Sequence, residues 1–379
     1  MSHPRIAIIG AGIAGASAAY FLARQMGSGE DVVLLEQESQ PGYHTTGRSA
    51  AIYSEVYGNA VIRGLVKASH DFMASPDKSF AETSILSPRS TLMVANADQL
   101  DVLHEIYAEL NRPDMLNIVD TDQCLEICPV LRRDYVAAGI WETAARDIDV
   151  HALHQGYLKC FRGAGGEIRN NSEAIEITSK DGEYLLTTRN DRIQADIIVN
   201  AAGAWGDHVA KLAGVEPVGL NPLRRTAITI DPPADVDPGA WPLTFDVEEN
   251  WYFKPDAGRI LASPADETLS DPCDAQPEEL DIAICIDRLQ TVTDLQVRRI
   301  ESKWAGLRSF VGDKTPVNGF DDQAQGFYWL VGQGGYGIKT SPAMGALAAT
   351  SILGTELPAE FQGKPIDQSA LRIDRLRNK

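Results

Sequence analysis

The 379-residue sequence predicts an α/β fold in which two domains are interleaved along the chain. Three observations support this fold class. A glycine-rich turn joins an apolar strand to a helix near the N-terminus, a second glycine-rich turn precedes a small-residue helix near the C-terminus, and a strand-rich stretch lies between them. Because similar pieces occur at both ends, we expect the β-rich (α+β) part to be inserted into the other domain.

The first element is a strand–helix–strand unit. Residues 5–9 and 32–35 are short apolar runs, and residues 13–25 between them have a helical pattern. Two such strands joined by a helix are parallel, which is typical of a Rossmann-type unit.

The turn of this unit reads Gly10-Ala11-Gly12-Ile13-Ala14-Gly15. Its first glycine permits a tight turn, the second lets a pyrophosphate approach the backbone, and the third allows close helix–strand packing. Glu36 ends the second strand, where a carboxylate can bind ribose hydroxyls. We therefore predict a dinucleotide site; a purely structural glycine turn is the alternative.

The remaining elements follow from periodicity and from turn residues. They are helices at 59–75, 97–111, 121–127, 149–164, 276–292 and 340–353, strands at 90–95, 196–200 and 326–331, a hairpin around 179–182, and further strands over 222–310.

Composition narrows the possible partners. The net charge is −19 and the pI is near 4.8, which disfavours nucleic acid and anionic lipid. No run of about 18 apolar residues predicts a membrane span. The five cysteines contain no CxxC pair, so we expect reduced thiols, no metal site and a cytoplasmic protein.

Three further blocks bear on the cofactor. They are residues 42–51 after the second strand, residues 200–205 after a later strand, and residues 332–340 before the last long helix. With the N-terminal glycines, these blocks resemble the D-amino-acid oxidase superfamily of FAD enzymes over nearly the whole chain. Within that superfamily they are most similar to bacterial FAD-dependent D-arginine dehydrogenases, as are residues 129–134, 147–158, 252–256 and 304–310.

The resemblance implies an FAD-binding domain at 1–85, 145–215 and 305–379, with a substrate domain at 86–144 and 216–304. Non-covalent FAD is expected, although His44 occupies roughly the place where dimethylglycine-type relatives attach it covalently. The implied cofactor residues are Gly10, Gly12, Ala14, Gly15, Glu36, Gln37, Thr45, Thr46, Gly47, Arg48, Ser49, Ala50, Ala51, Ile52, Ala174, Ala202, Gly203, Gly334, Gly335, Tyr336, Gly337, Ile338 and Lys339.

The resemblance also implies a substrate site. Arg225 and Arg308 match the two arginines that hold a substrate carboxylate, and planar guanidinium groups suit that task. Tyr57 and Tyr252 match hydrogen-bonding tyrosines, and the Gly335 carbonyl would accept from the amine. For each arginine, a surface or interdomain salt bridge is the alternative.

Three positions depart from the D-arginine dehydrogenases. Ile52 replaces a histidine, and Thr91 or Leu92 stands where a glutamate grips the guanidinium of the substrate. Because a buried cation without a carboxylate is costly, a neutral side chain is expected on the substrate. Lys339 replaces a glutamine; it could contact the substrate carboxylate, as in monomeric sarcosine oxidase, could stabilise negative charge on the flavin, or could face solvent.

The implied activity is oxidation of an amino acid, expected to be a D-amino acid. Hydride transfer from Cα to flavin N5 would give an imino acid, then a keto acid and ammonia. Two alternatives are an oxidase or dehydrogenase of N-methyl or cyclic secondary amino acids, which Lys339 favours, and a flavin-binding protein without activity. The electron acceptor is expected to be a quinone or dye-like molecule, or dioxygen.

Overall fold

The computed structural model describes residues 4–234 and 236–377. Its strands, numbered in chain order, are β1 (Ile6–Ile9), β2 (Val32–Leu35), β3 (Ile52–Tyr53), β4 (Leu86–Pro88), β5 (Thr91–Ala95), β6 (Leu116–Asp120), β7 (Ala138–Glu142), β8 (Arg146–Ile148), β9 (Glu167–Arg169), β10 (Ala174–Lys180), β11 (Glu183–Thr188), β12 (Arg192–Ala195), β13 (Ile197–Asn200), β14 (Asn221–Ile230), β15 (Leu243–Asp246), β16 (Tyr252–Asp256), β17 (Arg259–Ser263), β18 (Thr268–Leu269), β19 (Ser302–Phe310), β20 (Val317–Phe320) and β21 (Phe327–Val331).

The helices of the described residues are α1 (Ile13–Met26), α2 (Ala60–Ala74), α3 (Leu100–Leu110), α4 (Thr121–Ile127), α5 (Val150–Gly163), α6 (Gly206–Leu212), α7 (Glu279–Val292), α8 (Gly337–Leu353) and α9 (Asp374–Arg377). Local capping explains several starts: the Asn59 side chain accepts from the Ile62 amide before α2, and the Asp149 side chain accepts from the Ala152 amide before α5. None of these helices is long and apolar enough to cross a lipid bilayer.

A six-stranded sheet forms the first layer, in the order β20-β21-β13-β1-β2-β9. All its pairs are parallel except β20–β21. Strands buried on both faces are apolar throughout, as in the Phe-Tyr-Trp-Leu-Val run of β21. Helices α1, α5 and α8 pack together against this sheet, and small residues such as Gly345 let α8 approach Ser17 of α1.

A larger sheet forms the second part, in the order β18-β14-β17-β16-β15-β5-β7-β6, with β19 also paired to β14. Its pairs are antiparallel except β5–β15, which joins two distant parts of the chain. Helix α7 covers one face of this sheet through Ile282, Cys285 and Leu289. Two three-stranded sheets, β10-β11-β12 and β3-β8-β4, complete the fold.

This architecture confirms the predicted α/β class. The exact limits of the two domains stay a prediction, and the proposed limit at residue 305 falls within β19. Two predicted helix starts were wrong, because α8 begins at Gly337 and not near residue 340, and α7 begins at Glu279 and not near residue 276. The first turn of a helix tolerates glycine, and Pro342 is accommodated because the carbonyl of Ile338 accepts from the Ser341 hydroxyl instead.

Candidate active site

Three adjoining clefts run from the carboxyl end of β2 to the face of the larger sheet. Including the space that is open to solvent, the first has a volume of about 840 Å³, the second about 980 Å³ and the third about 1050 Å³. Gly12 and Thr46 line both the first and the second cleft, and Arg308 and Gly335 line both the second and the third. The clefts are therefore continuous, and an elongated ligand can occupy the first two while a small one occupies the third.

The first cleft lies at the carboxyl ends of β1, β2 and β13, where nucleotides bind in such sheets. Glu36 directly follows β2 there and is 7% exposed. Its carboxylate accepts hydrogen bonds from the amides of Ala11 and Glu38 at 3.2 and 3.0 Å, and burial raises its pKa. Gln37, Ala174 and Ala202 also line this cleft.

The glycine turn holds α1 close to β1. Gly10 has a φ of 101°, which disfavours any other residue. A Cβ at Gly15 would lie 1.9 Å from the Gly10 carbonyl oxygen, and one at Gly12 would lie 3.2 Å from the Thr46 hydroxyl. The three glycines thus keep the N-terminus of α1 open to the clefts, where its backbone amides favour phosphate.

The second cleft receives the N-termini of both α1 and α8, through Gly12, Ile13, Gly337 and Ile338. Two buried polar atoms here have no hydrogen-bond partner among the described residues, the Gln333 side-chain nitrogen and the Ser309 hydroxyl. A flat ring system with carbonyl and nitrogen edges would pair with both. This cleft therefore fits a flavin ring, and Gln333 is a contact that the sequence reasoning did not assign.

Several side chains of residues 42–51 line the cofactor clefts and also form hydrogen bonds with the surrounding backbone. The Thr46 hydroxyl accepts from the Ile13 amide at 3.0 Å, and the Thr45 hydroxyl donates to the Leu307 carbonyl at 2.8 Å. Arg48 lines the second cleft but donates to the carbonyls of Ala275 and Ala305, both at 2.9 Å.

Most other residues expected at the cofactor line one of the clefts. Those in the second are Ala14, Ser49, Ala50, Gly203 and Gly334, and those in the third are Ala51, Ile52 and Lys339. Gly15, Gly47 and Tyr336 line none of the three, since Gly15 packs on Gly10 and the Tyr336 ring covers Lys339.

His154 and His44 lie on the cofactor side of the fold, where His208 also lines the first cleft. His154 is buried, its Nε2 lies 2.9 Å from the Ala11 carbonyl oxygen, and burial lowers its pKa. His44 lines the first cleft, where Nε2 lies 2.9 Å from a carboxylate oxygen of Glu38. Because His44 does not line the flavin-sized second cleft, its position supports non-covalent binding.

Arg308 is one of the charged residues that line the third cleft. It extends from β19 and lies against Gly335, where a Cβ would approach its Cζ to 3.0 Å. No residue in the described parts of the chain accepts a hydrogen bond from its guanidinium group. Burial opposes its charge, but nearby Tyr252, Tyr57 and Glu249 raise its pKa, so it stays cationic. Within the described parts of the chain, Arg308 is therefore a cation without a hydrogen-bond acceptor, facing a cleft.

Arg225 is partly committed to the protein. Its Nε donates to the Asp266 carbonyl at 2.8 Å and its Nη2 to a Glu267 carboxylate oxygen at 3.1 Å, yet it lines the second and third clefts. The adjacent Arg224 instead pairs with Glu278 and Asp281 and lines none of these clefts.

Lys339 lies in the first turn of α8 and is 3% exposed, so it does not face solvent. Its Nζ donates to the Tyr57 carbonyl at 3.3 Å and lies 4.6 Å from the centre of the Tyr57 ring. Burial lowers its pKa to about 7. The Tyr57 hydroxyl donates to a Glu249 carboxylate oxygen at 2.9 Å, and Tyr252 lines the cleft beside them.

One expectation from the sequence was that no carboxylate lies where the third cleft would receive the substrate side chain, and the structure contradicts it. Thr91 lines this cleft, whereas Leu92 faces the opposite side of the sheet, in the core beneath α7. The cleft does contain a buried carboxylate, because Glu142 of β7 lies directly opposite Thr91 of β5. Ile52 also lines the cleft, in the place where a histidine was noted in the D-arginine dehydrogenases.

The Rossmann-type sheet, the two helix N-termini and the second cleft define a dinucleotide-binding oxidoreductase with a small-molecule cleft beside its cofactor. The family described as FAD dependent oxidoreductase (DAO) matches residues 5–351. The chain belongs to this family, and its cofactor is FAD.

Individual proteins extend the comparison over the whole chain. The uncharacterized oxidoreductase YurR of Bacillus subtilis (strain 168) is 24% identical over 95% of this chain and 97% of its own length. The glycine oxidase of Geobacillus kaustophilus superposes with a TM-score of 0.83 at 18% identity, covering 98% of this chain and 99% of that one. The L-proline dehydrogenase of P. horikoshii superposes with a TM-score of 0.81 at 20% identity, covering 99% and 98%.

Proposed function

We propose that this protein oxidises the Cα–N bond of an α-amino acid to the imino acid, which water hydrolyses to a keto acid and ammonia. The observation that carries this proposal is Arg308, whose half-buried guanidinium lies beside the flavin-sized cleft and has no hydrogen-bond acceptor among the described residues. A carboxylate is the partner that a planar guanidinium pairs with most strongly. When bound, FAD supplies the hydride acceptor of the reaction.

The residues of the third cleft orient the substrate. Arg308 holds the carboxylate, with Arg225 adding positive charge at the junction of the two clefts. Tyr252 and Tyr57 present hydroxyls at the same end, and the Gly335 carbonyl accepts from the amine. This arrangement turns the Cα–H toward the second cleft, so the contribution of the protein is orientation and electrostatics.

The stereochemistry and the electron acceptor are finer parts of the proposal. Resemblance of several separated blocks to D-arginine dehydrogenases supports the D-configuration. The neutral substrate side chain expected from the sequence rested on a missing carboxylate, and Glu142 removes that reason. A quinone or dye-like acceptor, or dioxygen, would reoxidise the flavin.

A second candidate is oxidation of N-methyl or cyclic secondary amino acids. It is favoured by Lys339, which lines the third cleft and not the second, so it would contact the substrate and not the flavin. The structural neighbours named for glycine and L-proline include one primary and one secondary amino acid.

The test is an anaerobic titration of the FAD-loaded protein with D-, L- and N-methyl amino acids, recording the flavin absorbance. We expect D-amino acids to bleach the flavin band. Reduction only by sarcosine or proline would establish the second candidate, and no reduction by any of the three groups would contradict an amino-acid enzyme.

Arg308→Lys tests the carboxylate contact. Because lysine keeps the charge but loses the paired donors, we expect kcat/KM for flavin reduction to fall roughly 10²-fold with FAD content unchanged. Arg299→Lys, on an exposed surface ion pair, is the control and should leave kcat/KM unchanged. An unaffected Arg308→Lys enzyme would show that the substrate carboxylate lies elsewhere.

A further inference from the structure

We propose that Glu142 selects the substrate by binding a hydrogen-bond donor at the end of its side chain. This inference rests on the proposed amino-acid oxidation and names the class of substrate: an α-amino acid with an apolar stem and an ammonium or amide group at its tip. Nothing in the sequence pattern of the chain marked Glu142 as a site residue.

Strand register places Glu142 on the wall of the third cleft. Glu142 of β7 lies opposite Thr91 of β5 on one side and Leu116 of β6 on the other, and Leu243 of β15 follows Thr91 in the same row. All four line the cleft. Because side chains at paired positions point to the same face of a sheet, the carboxyl group belongs to the cleft wall.

One oxygen of Glu142 is satisfied and the other is not. Oε2 accepts from the Ser54 hydroxyl at 2.8 Å and from the Thr91 hydroxyl at 3.1 Å. Oε1 is buried and has no hydrogen-bond partner among the described residues, although Glu142 is only 2% exposed. An unpaired buried carboxylate oxygen is unfavourable, and a donor arriving with a ligand would remove the penalty.

Lys339 does not supply the missing hydrogen bond to Oε1 of Glu142. Lys339 is close enough to Glu142 to influence its charge, but within residues 4–234 and 236–377 the two form no ion pair or hydrogen bond. Lys339 donates instead to the Tyr57 carbonyl. Oε1 of Glu142 is therefore left without a donor from the described residues, Lys339 included.

The surroundings of Glu142 define the rest of the side chain that fits. The next row of the same sheet face consists of Phe245, Met93 and Ile140, and all three line the cleft. A substrate side chain that passes over this apolar row reaches a carboxylate. Lysine- and glutamine-like side chains share this chemistry of a methylene stem and a terminal donor, whereas purely aliphatic ones leave Oε1 unpaired.

Matched substrate pairs test the inference on the FAD-loaded protein under anaerobic conditions. D-Lysine and D-norleucine differ by the terminal ammonium, as do D-ornithine and D-norvaline, and D-glutamine carries a neutral donor. We expect each donor-bearing substrate to reduce the flavin with a kcat/KM about thirtyfold above its aliphatic counterpart. Comparing D-lysine with D-glutamine shows whether the donor has to be charged.

Variants of Glu142 give the second measurement. Glu142→Leu should abolish the preference, lowering kcat/KM for D-lysine about thirtyfold while D-norleucine is oxidised at least as well as by the wild type. Glu142→Gln keeps the shape of the side chain and serves if the leucine variant fails to fold. It should likewise lower kcat/KM for D-lysine relative to D-norleucine. Asp122→Asn removes a carboxylate from an exposed ion pair and should keep the wild-type preference.

Two results would overturn the inference while leaving the proposed function intact. One is equal oxidation of D-lysine and D-norleucine by the wild type. The other is an equal loss on every substrate in the Glu142 variants, which would make Glu142 a counter-ion for Lys339. Failure of every amino acid to reduce the flavin would instead overturn both proposals.

Discussion

At the scale of single residues, Lys339 is a cationic side chain whose charge is opposed by its burial. It is buried in the first turn of α8, between the rings of Tyr57 and Tyr336, whose centres lie 4.6 and 5.2 Å from Nζ. Helix N-termini also disfavour cations. A lysine kept in such a place is expected to serve the cleft that it lines, at a cost in stability.

The loss of folding stability caused by burying Lys339 depends on pH. The pKa of Lys339 is about 7 in the folded protein and 10.5 for a free lysine, so the unfolded chain binds more protons between these values. Unfolding free energy therefore rises with pH over that window for the wild type relative to Lys339→Met. Thermal unfolding of the FAD-loaded proteins at pH 7 and pH 9.5 measures this difference.

The control for this measurement is Lys180→Met, on the exposed hairpin of β10 and β11. The difference between its Tm and that of the wild type should not change over the same pH range. A Lys339→Met difference that is equally constant would mean that Lys339 keeps an ordinary pKa despite its burial.

The residues of the site differ in how far sequence could predict them. Arg225, Arg308, Tyr57, Tyr252 and Lys339 all lie on the third cleft, and each was identified through the resemblance to the family. Glu142 could not be identified in this way. Its place beside Thr91 depends on strand register across 51 positions of sequence, which no local pattern reports.

At the scale of elements, the glycine turn before α1 fixes how closely helix and strand approach. Gly15 faces the carbonyl of Gly10, and the amide of Ala16 donates to the Gly12 carbonyl at 2.9 Å. Any side chain at Gly15 would push α1 away from β1 and move the amides that face the phosphates.

Gly15→Ala tests this close approach. Because its Cβ would lie 1.9 Å from the Gly10 oxygen, we expect the variant to lose about 3 kcal/mol of stability and to be purified with little FAD. The ratio of flavin absorbance to protein absorbance, with Tm, measures both effects.

Gly163→Ala is the matched control, since it lies at the end of α5 with no atom within 4 Å of the added Cβ. It should keep its FAD and stay within about 1 kcal/mol of the wild type. Normal FAD content in Gly15→Ala would show that α1 can shift without opening the pyrophosphate site.

Elements with a strong local signal were predicted closely, and those without one were not. Strand β2 has the predicted limits, because its run of apolar residues ends at Glu36. The start of α8 was misplaced because Gly337 was assigned to the preceding glycine-rich turn, whereas it is the first residue of the helix. The pairing of β5 with β15 has no local signal at all.

At the scale of the whole molecule, residues 42–51 connect the two large sheets. Arg48 donates to the carbonyls of Ala275 and Ala305 and pairs with Asp274, and its own carbonyl accepts from the Trp304 indole at 3.1 Å. The segment that lines the cofactor cleft is therefore fixed to β19 of the substrate-side sheet.

Arg48→Met should loosen this connection. Two backbone carbonyls would lose their donor, so we expect a loss of about 2–3 kcal/mol of stability together with faster release of FAD on dilution. Tm and gel filtration with absorbance detection measure the two effects. Arg132→Met removes only an exposed pair with Asp134 and should change neither; an identical Tm in Arg48→Met would contradict the connection.

In the six-stranded sheet β13 lies between β1 and β21, so the sheet brings together distant parts of the chain. This arrangement has a consequence for biosynthesis. The ribosome delivers the phosphate-binding turn at residues 10–15 long before the opposite wall of the flavin cleft, which arrives only with β21 and α8 at residues 327–353. The polypeptide between these two walls must therefore emerge before the cofactor can be enclosed. Nascent chains that stop before β21 are expected to be colourless, because they lack one wall of the flavin cleft.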